Sequence, residues 1–315
     1  MEKTPSYSNL DLVARCDTWP YFQKGPEAYK RFMQDYYYFM IEGYQAPFGY
    51  VHSSVISRVT WPDCWSLNHE ERLLILAGGS GFEERTSYME KTLHSAKETD
   101  GLSPFGKWCG ELFPVYAAGG EHVLDLDGCG VDAFGIVNFG CHLIAYVMTQ
   151  DGLKYWVPRR AKTKMSYPGM LDNTVGGSLT SGEKPLDCIV REAAEEASLP
   201  EDYTRSNIIS CGALSYQMSQ TDDGQPGCQH QVQYLFEMEL GQGTVPVPCD
   251  GEAEEFKLMS LEEVVGALRR GEFKLNCAMT WMDFLIRHGH VTDENEENLV
   301  EICSRLHRKH DLFIV

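Results

Sequence analysis

The sequence is short of positive charge. Its 315 residues hold 27 Lys and Arg against 46 Asp and Glu, a formal net charge of −19. Such a surface repels a phosphate backbone or an anionic bilayer, which excludes general nucleic-acid binding and electrostatic membrane docking. A small anionic substrate is still compatible, because a divalent cation held by clustered carboxylates reverses the local field. Long hydrophobic runs are also missing. The most apolar stretch, Ala133 to Met148, is interrupted by Asn138, Gly140 and His142 and is too short to span a bilayer as a helix. The first residues, MEKTPSYSNLDLVARCD, lack the apolar centre of a secretory signal. There is no CxxC pair: the eleven cysteines are all at least twelve positions apart. An odd number of scattered cysteines in a chain of this size points to reduced thiols in a cytoplasmic setting, and away from a zinc site or a disulfide framework.

What is present is ordinary globular composition, 43% hydrophobic and 23% charged, in a chain long enough for two domains. A Gly- and Asp-rich segment, read as a loop over 116–130, puts the boundary near residue 130. This gives an accessory domain over 1–130 and a second domain over 131–315. In the first, apolar positions spaced three and four apart predict a helix over 27–44, while 49–115 gives no clear functional signal. In the second, β-rich runs at 142–149 and 154–159 flank an Asp-Gly turn and read as a hairpin. Further strands are expected at 208–216, 231–239 and 254–259, and helices at 185–199, 260–270, 277–288 and 294–309. Strands interleaved with helices in one unit make an α/β or α+β domain with a mixed sheet.

The helix from Pro185 concentrates the chemistry. Leu186, Val190, Ala193 and Ala197 share one face, with Arg191, Glu192, Glu195 and Glu196 off it. Three carboxylates converge within a turn, where each like-charge pair costs about 0.2 to 0.5 kcal/mol. Mg²⁺, or Mn²⁺ in its place, would offset that cost, since oxygen ligands suit it. Arg191 is four residues from Glu195 and is expected to hold it by a bidentate contact. On helix spacing alone, the same pattern also reads as a solvated acidic face with one ion pair.

The flanking residues extend the pattern. Gly177 is followed by five residues and Glu183, then by seven and Arg191-Glu192, then by Ala193-Ala194-Glu195-Glu196-Ala197-Ser198-Leu199. This closely resembles the Nudix box, G-x(5)-E-x(7)-R-E-U-x-E-E-x-G-U, with Ser198 in place of the final glycine. That glycine serves a helix end needing positive φ, so Ser198 is expected to cost about 1 kcal/mol or shift the turn. The segments Tyr155-Trp156-Val157-Pro158-Arg159-Arg160, Lys164, Tyr167-Pro168-Gly169, Leu171-Asp172-Asn173 and Asp250-Gly251-Glu252-Ala253-Glu254 are similar to one Nudix branch. It includes fungal and plant proteins related to the Nudix portion fused to some thiamine pyrophosphokinases.

The resemblance implies a Nudix α/β/α sandwich with a mixed sheet behind an α+β accessory domain, and a Mg²⁺-dependent diphosphatase. Its substrate would be thiamine diphosphate or an oxidised or toxic analogue. Glu192, Glu195 and Glu196 would hold the metal, Glu196 doubling as base with Glu252 and Glu254 as rivals, and Glu183 bracing the loop before the helix. Gly176 and Gly177 would let backbone approach the phosphates. Arg159, Arg160 and Lys164 form the one basic cluster, with substrate contact expected for at least one of them and surface ion pairing as the alternative. Trp156 could stack a cationic ring or simply pack, and Asp172 and Asn173 read as turn formers. Isoprenyl diphosphates, favoured by apolar walls, and nucleoside diphosphate derivatives are alternative substrates. A catalytically weak binding module is the alternative from another class. The partner is a small organic diphosphate, and the chain is expected as a monomer or homodimer.

Overall fold

The computed structural model of the chain describes residues 6–98, 105, 108–164, 166–221 and 224–312. Helix α1 (Asn9–Ala14) starts with a capping box between Ser8 and Asp11 and is followed by α2 (Pro26–Met33), with Pro at its first turn. The helix expected over 27–44 ends at Met33, and Tyr36–Ile41 forms strand β1 instead. Apolar residues at 36, 37 and 40 satisfy either period. The aromatic run Tyr36-Tyr37-Tyr38-Phe39 fits a pleated, half-buried surface better, and pairing on both edges decides the outcome.

Strand β1 pairs antiparallel with β2 (Gly49–His52) and parallel with β4 (Leu73–Leu76). The short helix α3 (Ser53–Arg58) and strand β3 (Trp65–Asn68) lie between them in sequence, and the sheet order is β2-β1-β4-β3. Helix α4 (Phe82–Glu98) and a hairpin of β5 (Leu112–Tyr116) and β6 (His122–Asp127) complete this half, whose core includes Phe39, Trp65, Leu74, Met89, Leu93 and Phe134. The segment read as a 116–130 loop therefore contains β6, whose aspartates Asp125 and Asp127 read as turn residues but are buried in the strand. Helix α5 (Val131–Phe134) leads into the larger sheet.

That sheet has six strands: β7 (Val137–Thr149), β8 (Gly152–Arg160), β9 (Val175–Ser178), β10 (Ile209–Gln220), β11 (Pro226–Glu239) and β12 (Ala253–Ser260). Their order is β10-β11-β7-β8-β12, with β9 paired to β7. β7 and β8 form the expected hairpin, and β11 runs parallel to β7 over ten register pairs, so the sheet is mixed. Alternation along β7 divides the core. Cys141, Leu143 and Ala145 face helix α6 (Pro185–Ala197), while Ile144 faces the opposite layer. Helix α7 (Glu201–Asn207) follows α6 in the chain.

The opposite layer consists of α8 (Leu261–Arg269), α9 (Leu275–Arg287) and α10 (Leu299–Leu306), joined by α1, whose Leu12 and Val13 are buried there. The last helix is shorter than the expected 294–309, because 292–298 is taken up by turns held by Asn295 and Glu296 side chains. This is a mixed sheet between two helical layers. All eleven cysteines are free thiols, and no helix among the described residues is long and apolar enough to cross a membrane.

Candidate active site

Helix α6 packs through Cys188, Ile189, Val190, Ala193 and Ala197. Leu186, expected on that face, is 39% exposed, because it lies in the first turn beyond the sheet edge. Glu192 and Glu196 come off the flank nearest β9. The Glu196 carboxylate accepts from the Gly176 N–H at 3.1 Å. Glycine is required beside these groups: a Cβ on Gly177 would sit 2.2 Å from Glu192 Oε1, and one on Gly176 would sit 2.8 Å from His142 Nδ1.

Arg191 makes its bidentate contact with Glu183 (2.9 and 3.2 Å), not with Glu195 as expected, and reaches Glu195 and Glu192 through single contacts of 2.9 and 3.0 Å. Glu183 sits on the preceding loop, also accepts from Thr180, and offers Arg191 a partner off the helix, so the guanidinium fork turns outward to it. Arg191 thus ties the loop to the acidic flank of the helix.

The end of α6 positions a second acidic element. Ser198 has φ +54°, the left-handed geometry the box position demands, and its Oγ donates to Val247 O at 2.9 Å. Val247 N–H in turn donates to Ala197 O. These two bonds hold the 245–252 segment across the helix end, and an Asp250 side chain accepting from Glu252 N–H turns it back. Glu196, Asp250 and Glu252 consequently bring carboxylate oxygens within 4.8 Å of one another. Glu195, half exposed on Arg191, and Glu254, which accepts from Lys162 N–H, are outside this group.

The electrostatics fit a cation. Burial, reinforced by the negative charges of Glu192 and Asp172, pushes the Glu196 carboxyl well above the usual range, against the opposing Gly176 N–H. Burial raises Glu192 to about 7, with Arg191 opposing and Glu195 adding to the rise. Hard oxygen donors crowded with so little compensating hydrogen bonding suit Mg²⁺ or Mn²⁺.

Beneath the acidic group lies a charged network. Asp172 takes Arg160 Nη1 at 2.6 Å, the Cys277 thiol at 2.7 Å and its neighbour's backbone Asn173 N–H at 2.9 Å. Burial pushes Asp172 up, but Lys274, Arg160 and the thiol outweigh it and hold the carboxyl at about 2. His142 lies beside this network, with Nε2 3.4 Å from the Asn276 amide. Burial lowers its pKa to about 4.

Of the basic cluster, Arg160 is spent on Asp172 and Ser166 O, Lys164 pairs with Glu252 at 2.7 Å, and Arg159 pairs with Glu255 and donates to Gly169 O. Trp156 shares a strand face with Pro158 and Arg160. A pocket opens over the network, lined by Pro158, Arg160, Asp172, Asn173, Thr174 and Phe256 beside Glu196, Glu252 and Ala253. Sequence reasoning gave Asp250 no role of its own and read Asn173 only as a turn former. The Asp-Gly-Glu turn signalled the first, and nothing local signals the second.

The NUDIX domain family matches residues 142–282, which contain α6, β8, β9 and the acidic turn. The uncharacterized protein YJR142W of Saccharomyces cerevisiae is 31% identical over 317 residues, covering 96% of this chain and 91% of that protein. Nudix hydrolase 20, chloroplastic, of Arabidopsis thaliana is 34% identical over 63% of this chain, which spans about half (52%) of the plant protein's length. Among solved structures, DR0079 from Deinococcus radiodurans is similar at 18% identity and a TM-score of 0.40, covering 63% of this chain and 100% of that one. With the domain match, a relative aligned over nearly the whole chain and the box residues gathered at one site, the chain belongs to the Nudix superfamily of hydrolases.

Proposed function

We propose that the chain hydrolyses an organic diphosphate to the monophosphate and phosphate, with Mg²⁺ or Mn²⁺ held by Glu196 together with Asp250 and Glu252, and with Glu192 alongside. The observation that carries this reading is the half-buried Glu196 carboxylate, whose oxygen meets those of Asp250 and Glu252 within 4.8 Å. The metal, when bound, supplies charge neutralisation of the phosphates and polarisation of the P–O bond. Glu196, whose carboxylate accepts from the Gly176 N–H, is the first choice for taking the proton of the attacking water. Glu252, paired with Lys164 at 2.7 Å, is its rival in the same group. Glu254 and Glu195 point to other partners and take no proton in this scheme. Gly176 and Gly177 leave backbone open beside the carboxylates, and Lys164 is the cation available to an incoming diphosphate once its partner Glu252 turns to the metal, while Arg159 stays on Glu255 and Gly169 O.

For the organic group we favour a polar heterocycle of the thiamine diphosphate type. The pocket sets polar side chains, Arg160, Asp172, Asn173, Thr174, Glu196 and Glu252, beside apolar surface from Pro158, Ala253 and Phe256, which suits a flat ring with an apolar face and hydrogen-bonding edges. Thiamine itself rests on the sequence resemblance, and a nucleoside diphosphate derivative shares the same chemistry. The test is phosphate release from thiamine diphosphate, oxythiamine diphosphate, ADP-ribose and geranyl and farnesyl diphosphates, each with Mg²⁺ and with EDTA. Metal-dependent preference for the heterocyclic diphosphates is expected. Preference for a prenyl diphosphate replaces the substrate, and binding without turnover on the whole panel replaces the enzyme by a ligand-binding module.

A further inference from the structure

Within this pocket one side chain is unaccounted for. Asn173 is only 1% exposed, yet neither its Oδ1 nor its Nδ2 has a hydrogen-bond partner. Buried amides are almost always paired, and an apolar side chain of the same size would fill this position without the penalty. The other polar groups around it are committed. Arg160 is held by Asp172 and Ser166, while Thr174 Oγ1 donates to Trp156 O and accepts from Ala145 N–H. Asp172 is held by Arg160 and the Cys277 thiol. Glu196 and Glu252 are committed to the acidic group. The Asn173 amide is the unspent hydrogen-bonding capacity of the pocket wall. The Trp156 indole N–H, on the strand face shared with Pro158 and Arg160, is likewise buried without a partner.

The surroundings define what would spend it. A carboxamide presents an acceptor and a donor side by side in one plane, so it matches a flat partner with the complementary pair on neighbouring atoms. Pro158 and Phe256, directly paired across β8 and β12, give that partner an apolar wall. The acidic group is in the same pocket, so a ring seated at Asn173 has its diphosphate directed to Glu196 and Glu252.

We propose that Asn173 is a specificity-determining residue that pairs edge-on with a substrate ring carrying a donor and an acceptor on adjacent atoms, as an aminopyrimidine does. Because a carboxamide can turn over to exchange donor and acceptor, the same residue accepts the 4-oxo counterpart of such a ring, whose edge has the opposite order. A prenyl chain offers neither group and leaves the amide buried and unpaired. This inference rests on the diphosphatase reading above.

The test uses the full chain, wild type and with Asn173→Leu, which keeps the volume and removes the amide. Asn173→Ser serves as a second variant should the leucine protein fail to fold. Turnover of thiamine diphosphate and CDP is compared with that of geranyl diphosphate, and binding of thiamine monophosphate and CMP is measured by calorimetry without metal. Each variant is expected to lower the heterocycle-to-prenyl ratio of kcat/KM by roughly ten- to hundredfold, and to weaken monophosphate binding by at least tenfold. A ratio and a binding constant both within twofold of wild type overturn the proposal and leave Asn173 as the holder of an internal water. So does a wild-type protein that prefers geranyl diphosphate or binds neither monophosphate. If no organic diphosphate is turned over, the diphosphatase reading fails, while the binding comparison still decides the role of Asn173.

Discussion

At the scale of single residues, the site is governed by carboxylates that burial and mutual repulsion hold away from their ordinary ionisation. Glu196 combines desolvation with the negative neighbours Glu192 and Asp172. Glu196→Gln keeps the shape and the Gly176 contact while removing the charge, so kcat should fall by orders of magnitude with the melting temperature unchanged or raised. Near-normal turnover would remove Glu196 from its assigned role. The same physics links metal binding to protons. In the metal-free protein Glu192 titrates at about 7 instead of 4.5, and Glu196 is also raised. Folded carboxyls with raised pKa values stabilise the protein below the unfolded value of 4.5, and that contribution is lost as pH rises through 7. A bound cation reverses the penalty. Mg²⁺ should therefore raise the melting temperature more at pH 8 than at pH 5.5, with protons released on binding near pH 6.5. Calorimetry in buffers of different ionisation enthalpy measures that release.

At the scale of elements, the helix carrying the box and the acidic turn after β11 are one device, joined at Ser198. The family glycine would accept φ +54° without strain, whereas serine pays for the left-handed backbone and recovers part of it through Val247 O. Ser198→Gly should leave stability within about 1 kcal/mol, because relief of strain and loss of the hydrogen bond nearly cancel. It should raise the Mg²⁺ concentration needed for half-maximal activity, since the segment bearing Asp250 and Glu252 loses one of the bonds that hold it across the helix end. Unchanged Mg²⁺ dependence would mean that the backbone bond from Val247 to Ala197 suffices. The elements also show where pattern reading fails. Tyr36–Ile41 satisfied a helical period and became a strand because two neighbours were available to pair with it. β6 escaped notice because Asp125 and Asp127 read as turn residues, whereas both are buried in the strand and hydrogen-bonded, Asp125 to His122 and Asp127 to the Gly110 and Cys129 N–H groups.

At the scale of the whole molecule, the amino-terminal residues are stitched into the carboxy-terminal layer. Arg308 donates to Asp17 Oδ1 and to Trp19 O, and α1 packs on α8, α9 and α10. Nearby, His310 lies buried with Nε2 on Gln231 O, and burial depresses its pKa to about 4 from 6.5. The unfolded chain takes up a proton below 6.5 that the folded His310 refuses until about 4. Stability is therefore lost as pH falls through that window, by about 2 kcal/mol between pH 7 and pH 5. Relative to wild type, His310→Gln should lose about 2 kcal/mol less over the same interval, as urea unfolding at the two pH values would show. Equal losses would mean that His310 is already protonated in the folded protein at pH 5.

The spacing from Gly177 to Leu199 alone determined the helix, its acidic flank and the family, because those depend on residues within one helix and the loop before it. The β7–β8 hairpin and the mixed sheet were legible for the same local reason. What only the tertiary structure decided is which groups meet. Asp250 and Glu252 come to Glu196 from more than fifty residues away, Arg160 pairs with Asp172 in the pocket wall, and Asn173 is left with an unpaired amide in the pocket. No periodicity records such meetings: they arise from strand register and from a turn tied across a helix end, and these exist only once the sheet has closed.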